Sequence, residues 1–101
     1  MKVIVKRPNE QYGEIKEIEN TLEALQEIVG GWIECVCNND LCIICNEEGK
    51  LQGLTPNICF KGDILVGTII VCGIKGEDFD DVKIPFDEWK EFCDGMRVIS
   101  F

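Results

Sequence analysis

The sequence predicts an α+β domain: a mostly antiparallel sheet of about five or six strands, one main helix over about 21–29 and one late short helix over about 85–94. Three observations predict it. Short runs rich in Val, Ile and Cys recur along the chain, as at Met1–Lys6, Leu41–Cys45 and Ile64–Ile74. Turn residues punctuate these runs, so neighbouring strands are expected to pair as hairpins. Helical spacing of apolar residues shows in two places, Leu22-Leu25-Ile28-Val29 and Phe86-Trp89-Phe92-Cys93. Residues 1–101 are read as a single domain with one modest core.

Met1-Lys2-Val3-Ile4-Val5-Lys6 reads as a first strand. Arg7-Pro8-Asn9-Glu10-Gln11-Tyr12-Gly13 reads as a turn, with Tyr12 expected as an exposed contact residue. Glu14 to Ile18 alternates polar and apolar and completes a hairpin. Asn20 is expected to cap the main helix, with Glu23 in a capping-box position and Gly30-Gly31 as the stop. Trp32–Cys37 and Leu41–Cys45 form a second hairpin around Asn38-Asn39-Asp40. Ile64 to Ile74 reads as one long strand, with Gly67 and Gly73 as bulges or close-approach points. Gly76-Glu77-Asp78-Phe79-Asp80-Asp81 reads as an acidic loop whose Phe79 is available to a partner. Pro85 opens the late helix, Gly95 ends it, and Met96–Phe101 is expected as a final strand.

The charge balance narrows the function classes. Nineteen acidic and ten basic residues give a net charge of −9. That excludes general phosphate-backbone binding, which needs clustered Lys and Arg. It suits solubility or a basic protein partner. No apolar run is long enough to span a membrane, and the start lacks the features of a signal peptide. Seven cysteines is an odd number, and most sit within apolar runs. The expectation is buried structural thiols in a reducing cytoplasm rather than a disulfide framework.

Cys35, Cys37, Cys42 and Cys45 place four thiols within eleven residues, enough in number for zinc. Strand geometry argues against that set. Cys42 and Cys45 are three apart and point to opposite faces. Glu47 and Glu48 beside Cys45 oppose the low thiol pKa that redox chemistry needs. No histidine occurs, which removes the commonest general base. No catalytic residue, metal ligand or cofactor is assigned.

The polar loop Asn46-Glu47-Glu48-Gly49-Lys50, set between runs that read as buried, is the candidate binding element. Asn46, Lys50, Asn57 and Thr68 supply donors, acceptors and a cation; Gly49 and Gly67 allow a ligand close to backbone. Such a mixture suits a sugar or nucleotide.

Several segments carry a resemblance: Ile18-Glu19-Asn20-Thr21-Leu22-Glu23-Ala24-Leu25-Gln26, Gly30-Gly31-Trp32-Ile33-Glu34, Cys45-Asn46-Glu47-Glu48-Gly49-Lys50-Leu51, Leu54, Pro56-Asn57, and Asp63-Ile64 with Gly67-Thr68. Over about residues 1 to 74 the chain resembles a small domain-of-unknown-function family of Firmicutes genomes, phages and mobile elements. Aliphatic residues tend to stand there in place of Cys35, Cys37 and Cys42. A basic residue often follows the counterpart of Asn57, where this chain has Ile58.

The resemblance implies a phage or mobile element in a bacterial cytoplasm, where small non-catalytic proteins counter host defences. By that analogy the leading expectation is a counter-defence factor that sequesters a small nucleotide-like ligand. The alternative is an acidic module that blocks the basic groove of a host nuclease through Glu77, Asp78, Asp80, Asp81, Glu88 and Glu91. Either way a homo-oligomer is expected, because a small sheet must cover its edges.

Overall fold

The computed structural model describes the backbone of residues 1–99 and the side chains of residues 1–95. The elements in chain order are β1 (Lys2–Lys6), β2 (Glu14–Glu17), α1 (Leu22–Val29), β3 (Ile33–Asn38), β4 (Leu41–Asn46), β5 (Pro56–Phe60), β6 (Asp63–Val66), β7 (Ile69–Lys75), β8 (Asp78–Asp80) and α2 (Phe86–Ile99). The fold is α+β. A six-stranded sheet runs in the order β2-β1-β7-β4-β3, and β8 pairs with the end of β7. Every pairing in it is antiparallel. The hairpin β5–β6 forms a second, two-stranded sheet.

The middle strands explain the layers. In β4, Cys42 to Asn46 are all buried, as are Ile69 to Gly73 in β7. Strands this apolar on both faces require a cover on each side. On one face α1 lays Leu25 and Val29 over Val3, Val5, Cys42, Ile44, Ile70 and Cys72. On the other, α2 and the β5–β6 hairpin enclose Ile4, Ile43, Cys45, Ile69 and Val71 with Trp89, Phe60, Ile58 and Leu65. Trp89 stacks on Phe92 at 5.5 Å, and Phe60 meets the same ring edge-on at 6.1 Å. The Trp89 indole donates to the Tyr12 carbonyl at 2.8 Å, so the β1–β2 turn is pinned to α2.

Several expectations change. Thr21, not Asn20, caps α1: its hydroxyl accepts from the Ala24 N–H at 3.2 Å. Asn20 instead donates to the Phe79 carbonyl at 2.8 Å, tying the helix entry to β8. The acidic segment is therefore partly a strand, and Phe79 packs into the core under α1 rather than facing a partner. Tyr12 is half-buried against the second core, with its hydroxyl held by Asp94 at 2.9 Å.

The expected single strand over 64–74 is two strands in two different sheets. Gly67 sits between them with φ of +76°, a left-handed conformation that a β-branched residue resists. Residues 56–60 form β5, and Lys61 (φ 52°) and Gly62 (φ 78°) make a two-residue hairpin turn to β6.

Gly95 does not end α2, which continues to Ile99 where a strand over 96–101 was expected; residues 100–101 lie outside the described residues. A Cβ built on Gly95 meets nothing within 4 Å. Gly95→Ala should therefore stabilise the protein by about 0.4–1 kcal/mol in urea unfolding. A loss of stability would mean that the chain leaves the helix at that residue.

Candidate functional site

The polar residues singled out in the sequence gather where the main sheet meets the β5–β6 hairpin. Asn46 ends β4 and is buried. Its Nδ2 donates to the Val29 carbonyl at 3.3 Å and to Gln52 Oε1 at 3.2 Å, and its Oδ1 accepts from the Glu48 N–H at 2.9 Å. One amide thus holds the end of α1 and the start of the loop that follows β4. That loop is wound: the Gln52 N–H reaches Glu48 O at 2.9 Å and the Leu54 N–H reaches Gly49 O at 3.0 Å.

Asn57 makes the corresponding joint on the other side. Its Nδ2 donates to the Lys6 carbonyl at 2.9 Å and the Gly67 carbonyl at 2.8 Å, while its Oδ1 accepts from Lys6 Nζ at 2.6 Å. Lys6 is only 4% exposed, and this contact supplies its ammonium with a polar partner inside the protein. The alternation along β1 places Lys6 on the same side as Ile4, but Lys2 has that parity too and is exposed, so the burial of Lys6 follows from the Asn57 contact.

The two glycines serve packing in this structure. A Cβ on Gly49 would lie 2.7 Å from Val66 Cγ2, and one on Gly67 would lie 2.8 Å from Leu54 Cδ1. Thr68 is half-buried in the link between β6 and β7. Lys50 reaches Asp63 at 2.7 Å on the surface. That hydrogen bond lowers the Asp63 carboxyl below its usual range and raises the Lys50 ammonium above its own. All six residues are therefore in one neighbourhood, and the polar side chains of Asn46, Lys50 and Asn57 are engaged by other parts of the chain.

Beside this joint lies a hollow of about 60 Å³, lined by Glu34, Cys45, Asn46, Glu47, Lys50, Asp63, Ile64, Leu65 and Val66. That is far below the roughly 300–1,000 Å³ of small-molecule pockets. Its rim is acidic. Burial pushes the Cys45 thiol up to about 11, and Glu34 and Asp63 push the same way, so it stays protonated near neutral pH.

Sequence reasoning missed the apolar members of this surface. Trp32 is 63% exposed, Ile64 53% and Leu51 87%. The Trp32 carbonyl accepts the Glu47 N–H at 2.7 Å, which sets the tryptophan against the loop that lines the hollow. Trp32 precedes β3, in which Glu34 pairs with Cys45 and both line the hollow. Leu51 follows Lys50 directly, and Ile64 follows Asp63. β3 is the last strand of the sheet, so one side of its backbone carries no sheet partner. The signal was present as Trp32 at the mouth of a strand, but its exposure depends on β3 being an edge.

The cysteines divide between the faces. Cys42 joins the α1 side and Cys45 the α2 side, as their spacing implies. The expectation of buried structural thiols holds for Cys45, Cys72 and Cys93, not for Cys35 and Cys59, which are exposed. Cys37 and Cys42 are directly opposite across β3–β4 and are disulfide-bonded.

A profile of the family described as a domain of unknown function (DUF3846) matches residues 1–92. No curated protein and no solved structure matches the chain. The chain belongs to that family.

Asn57→Ala should lower the unfolding free energy by roughly 2–4 kcal/mol, since it strips two carbonyls and an ammonium of a partner at once. Equilibrium urea denaturation checks this; a change under about 0.5 kcal/mol, the size of an ordinary surface substitution, would remove Asn57 as the joint.

Proposed function

We propose that this member of a family of unknown function is a non-enzymatic interaction protein that docks on a basic protein surface. One observation carries the reading: the exposed Ile64 lines an acidic hollow with Glu34, Glu47 and Asp63, and the exposed Trp32 is joined to its rim through the Glu47 N–H, beside the open edge strand β3. An exposed tryptophan with apolar neighbours and a charged rim has the make-up of a binding hot spot. The overall charge of −9 favours a cationic partner and speeds its encounter. The absence of histidine from the whole chain is consistent with a role without catalysis.

This places the weight on the protein-partner reading rather than on a captured nucleotide. The hollow is too small for a nucleotide, and Asn46 and Asn57 are occupied by internal hydrogen bonds. The acidic residues first expected as contacts are spread out. Glu77 and Asp78 lie at β8, near the entry to α1, while Glu88 and Glu91 ride on α2 across the sheet. The Trp32 surface is more concentrated. In the phage or mobile-element setting that the resemblance implies, the fitting partner is a defence nuclease with a basic groove in a bacterial cytoplasm. Among the described residues no helix is long and apolar enough to cross a membrane.

A nucleotide-like ligand retains one route. In a homodimer the exposed Trp32 ring could stack on a base while a second copy closes the site. Sedimentation at micromolar concentration together with titration of cyclic oligonucleotides tests that route; a monomer that binds none of them ends it.

For the leading reading, the parent and Trp32→Ala are compared for binding to a purified basic nuclease from the host, at low and high salt. The parent should bind and lose affinity as salt rises. Trp32→Ala should weaken binding by roughly 30-fold or more, the scale of a hot-spot residue. Salt-independent binding, or a variant that binds as tightly as the parent, contradicts the proposal.

A further inference from the structure

We propose that Cys35, Cys37 and Cys42, once the Cys37–Cys42 disulfide is opened, hold one zinc ion at the edge of the sheet. The sulfur atoms of these three residues all lie within 4.8 Å of one another. Thiolates around zinc stand about 3.8 Å apart, as follows from tetrahedral Zn–S bonds of ~2.3 Å. Rotation of side chains on a fixed backbone covers that difference.

Strand register builds the cluster. Cys37 and Cys42 are direct cross-strand partners with Cα atoms 4.2 Å apart, and Cys35 stands two residues from Cys37 on the same face of β3. This differs from the set that spacing suggests. Cys45 belongs to the other face and drops out, and the remaining three come together on one face. The donors are all soft thiolates, the type that selects zinc or copper(I) over magnesium or calcium.

The surroundings suit an ion that enters from solvent. Cys35 is exposed, Cys37 half-buried and Cys42 fully buried, so the site has an open mouth and a dry floor. Among the described residues β3 carries no further strand on its outer side; there Lys61 Nζ donates to the Cys37 carbonyl at 3.2 Å, and the exposed Cys35 offers the approach. The net charge of −9 attracts a dication.

The oxidised and metal-bound forms use the same sulfurs and exclude each other. Reduction of the Cys37–Cys42 bond by an added phosphine or dithiol takes two electrons and two protons and yields two thiols. Each thiol that then ligates zinc releases its proton to solvent. The inference is independent of the interaction surface, which lies on the opposite face of β3.

The experiment uses the full chain in two states, reduced under anaerobic conditions and oxidised. Each is titrated with cobalt(II) alone, then with zinc(II). The reduced protein should take up one cobalt per chain, with intense sulfur-to-cobalt absorption that zinc abolishes. The oxidised protein should show no such absorption. Cys35→Ser, a change at an exposed position that preserves folding, should weaken binding by roughly tenfold or more. Cys59→Ser, at an exposed cysteine on β5, should leave it unchanged. In parallel, zinc should raise the melting temperature of the reduced protein only. Absence of the sulfur-to-cobalt band, equal binding by Cys35→Ser, or equal uptake by the oxidised protein overturns the proposal.

Discussion

The side chain of Asn57 is the joint on which the arrangement of the two sheets depends. It bonds Lys6 on the main sheet and Gly67 at the exit of the small one from a half-buried position between them. Beside it the β5–β6 hairpin is tied to the rest of the chain by apolar contacts and by two exposed lysine contacts, Lys61 to the Cys37 carbonyl at 3.2 Å and Lys50 to Asp63 at 2.7 Å, which fix register less firmly than a half-buried amide. Asn46 performs the matching task for the loop after β4. Both asparagines show why a polar residue is kept in a tight interior: each satisfies several backbone groups that no strand or helix ladder reaches.

The edge strand β3 organises everything on the surface that carries chemistry. Its alternation sends Glu34 to one face and Cys35 and Cys37 to the other, and Trp32 stands just before its first residue. The first face adjoins the acidic hollow between β4 and β6. On the second, Ile33 and Cys37 pack against the core that α1 covers, while Cys35 is left exposed.

The inner thiols mark the contrast between core and edge. Cys72 and Cys45 lie in strands buried on both faces, and burial is the main cause that pushes them up, to about 12 and about 11. Such thiols behave as small apolar side chains at neutral pH. Cys35, by contrast, meets solvent, so the same residue type is a packing unit in β4 and β7 and an accessible ligand in β3.

What the sequence determined by itself is local. Short Val-, Ile- and Cys-rich runs placed β1 and the β3–β4 hairpin, period-two alternation placed β2, period 3.6 placed α1 and the start of α2, and their mixture established the α+β class. The opposite faces of Cys42 and Cys45 were legible for the same reason, as was the clustering of polar residues around 46–57 and 67–68. Tertiary structure decided the rest, because those outcomes depend on contacts between distant segments. Gly67 reads as a bulge in one long strand until Leu54 and Asn57 are seen to hold it as a turn between two sheets. Gly95 reads as a stop, yet nothing nearby ends the helix there. Asn20 looks like a cap until Phe79 supplies a carbonyl for it. Whether Trp32 and Cys35 were core or surface turned on which strand ended the sheet, and strand order is set by long-range pairing that no local pattern records.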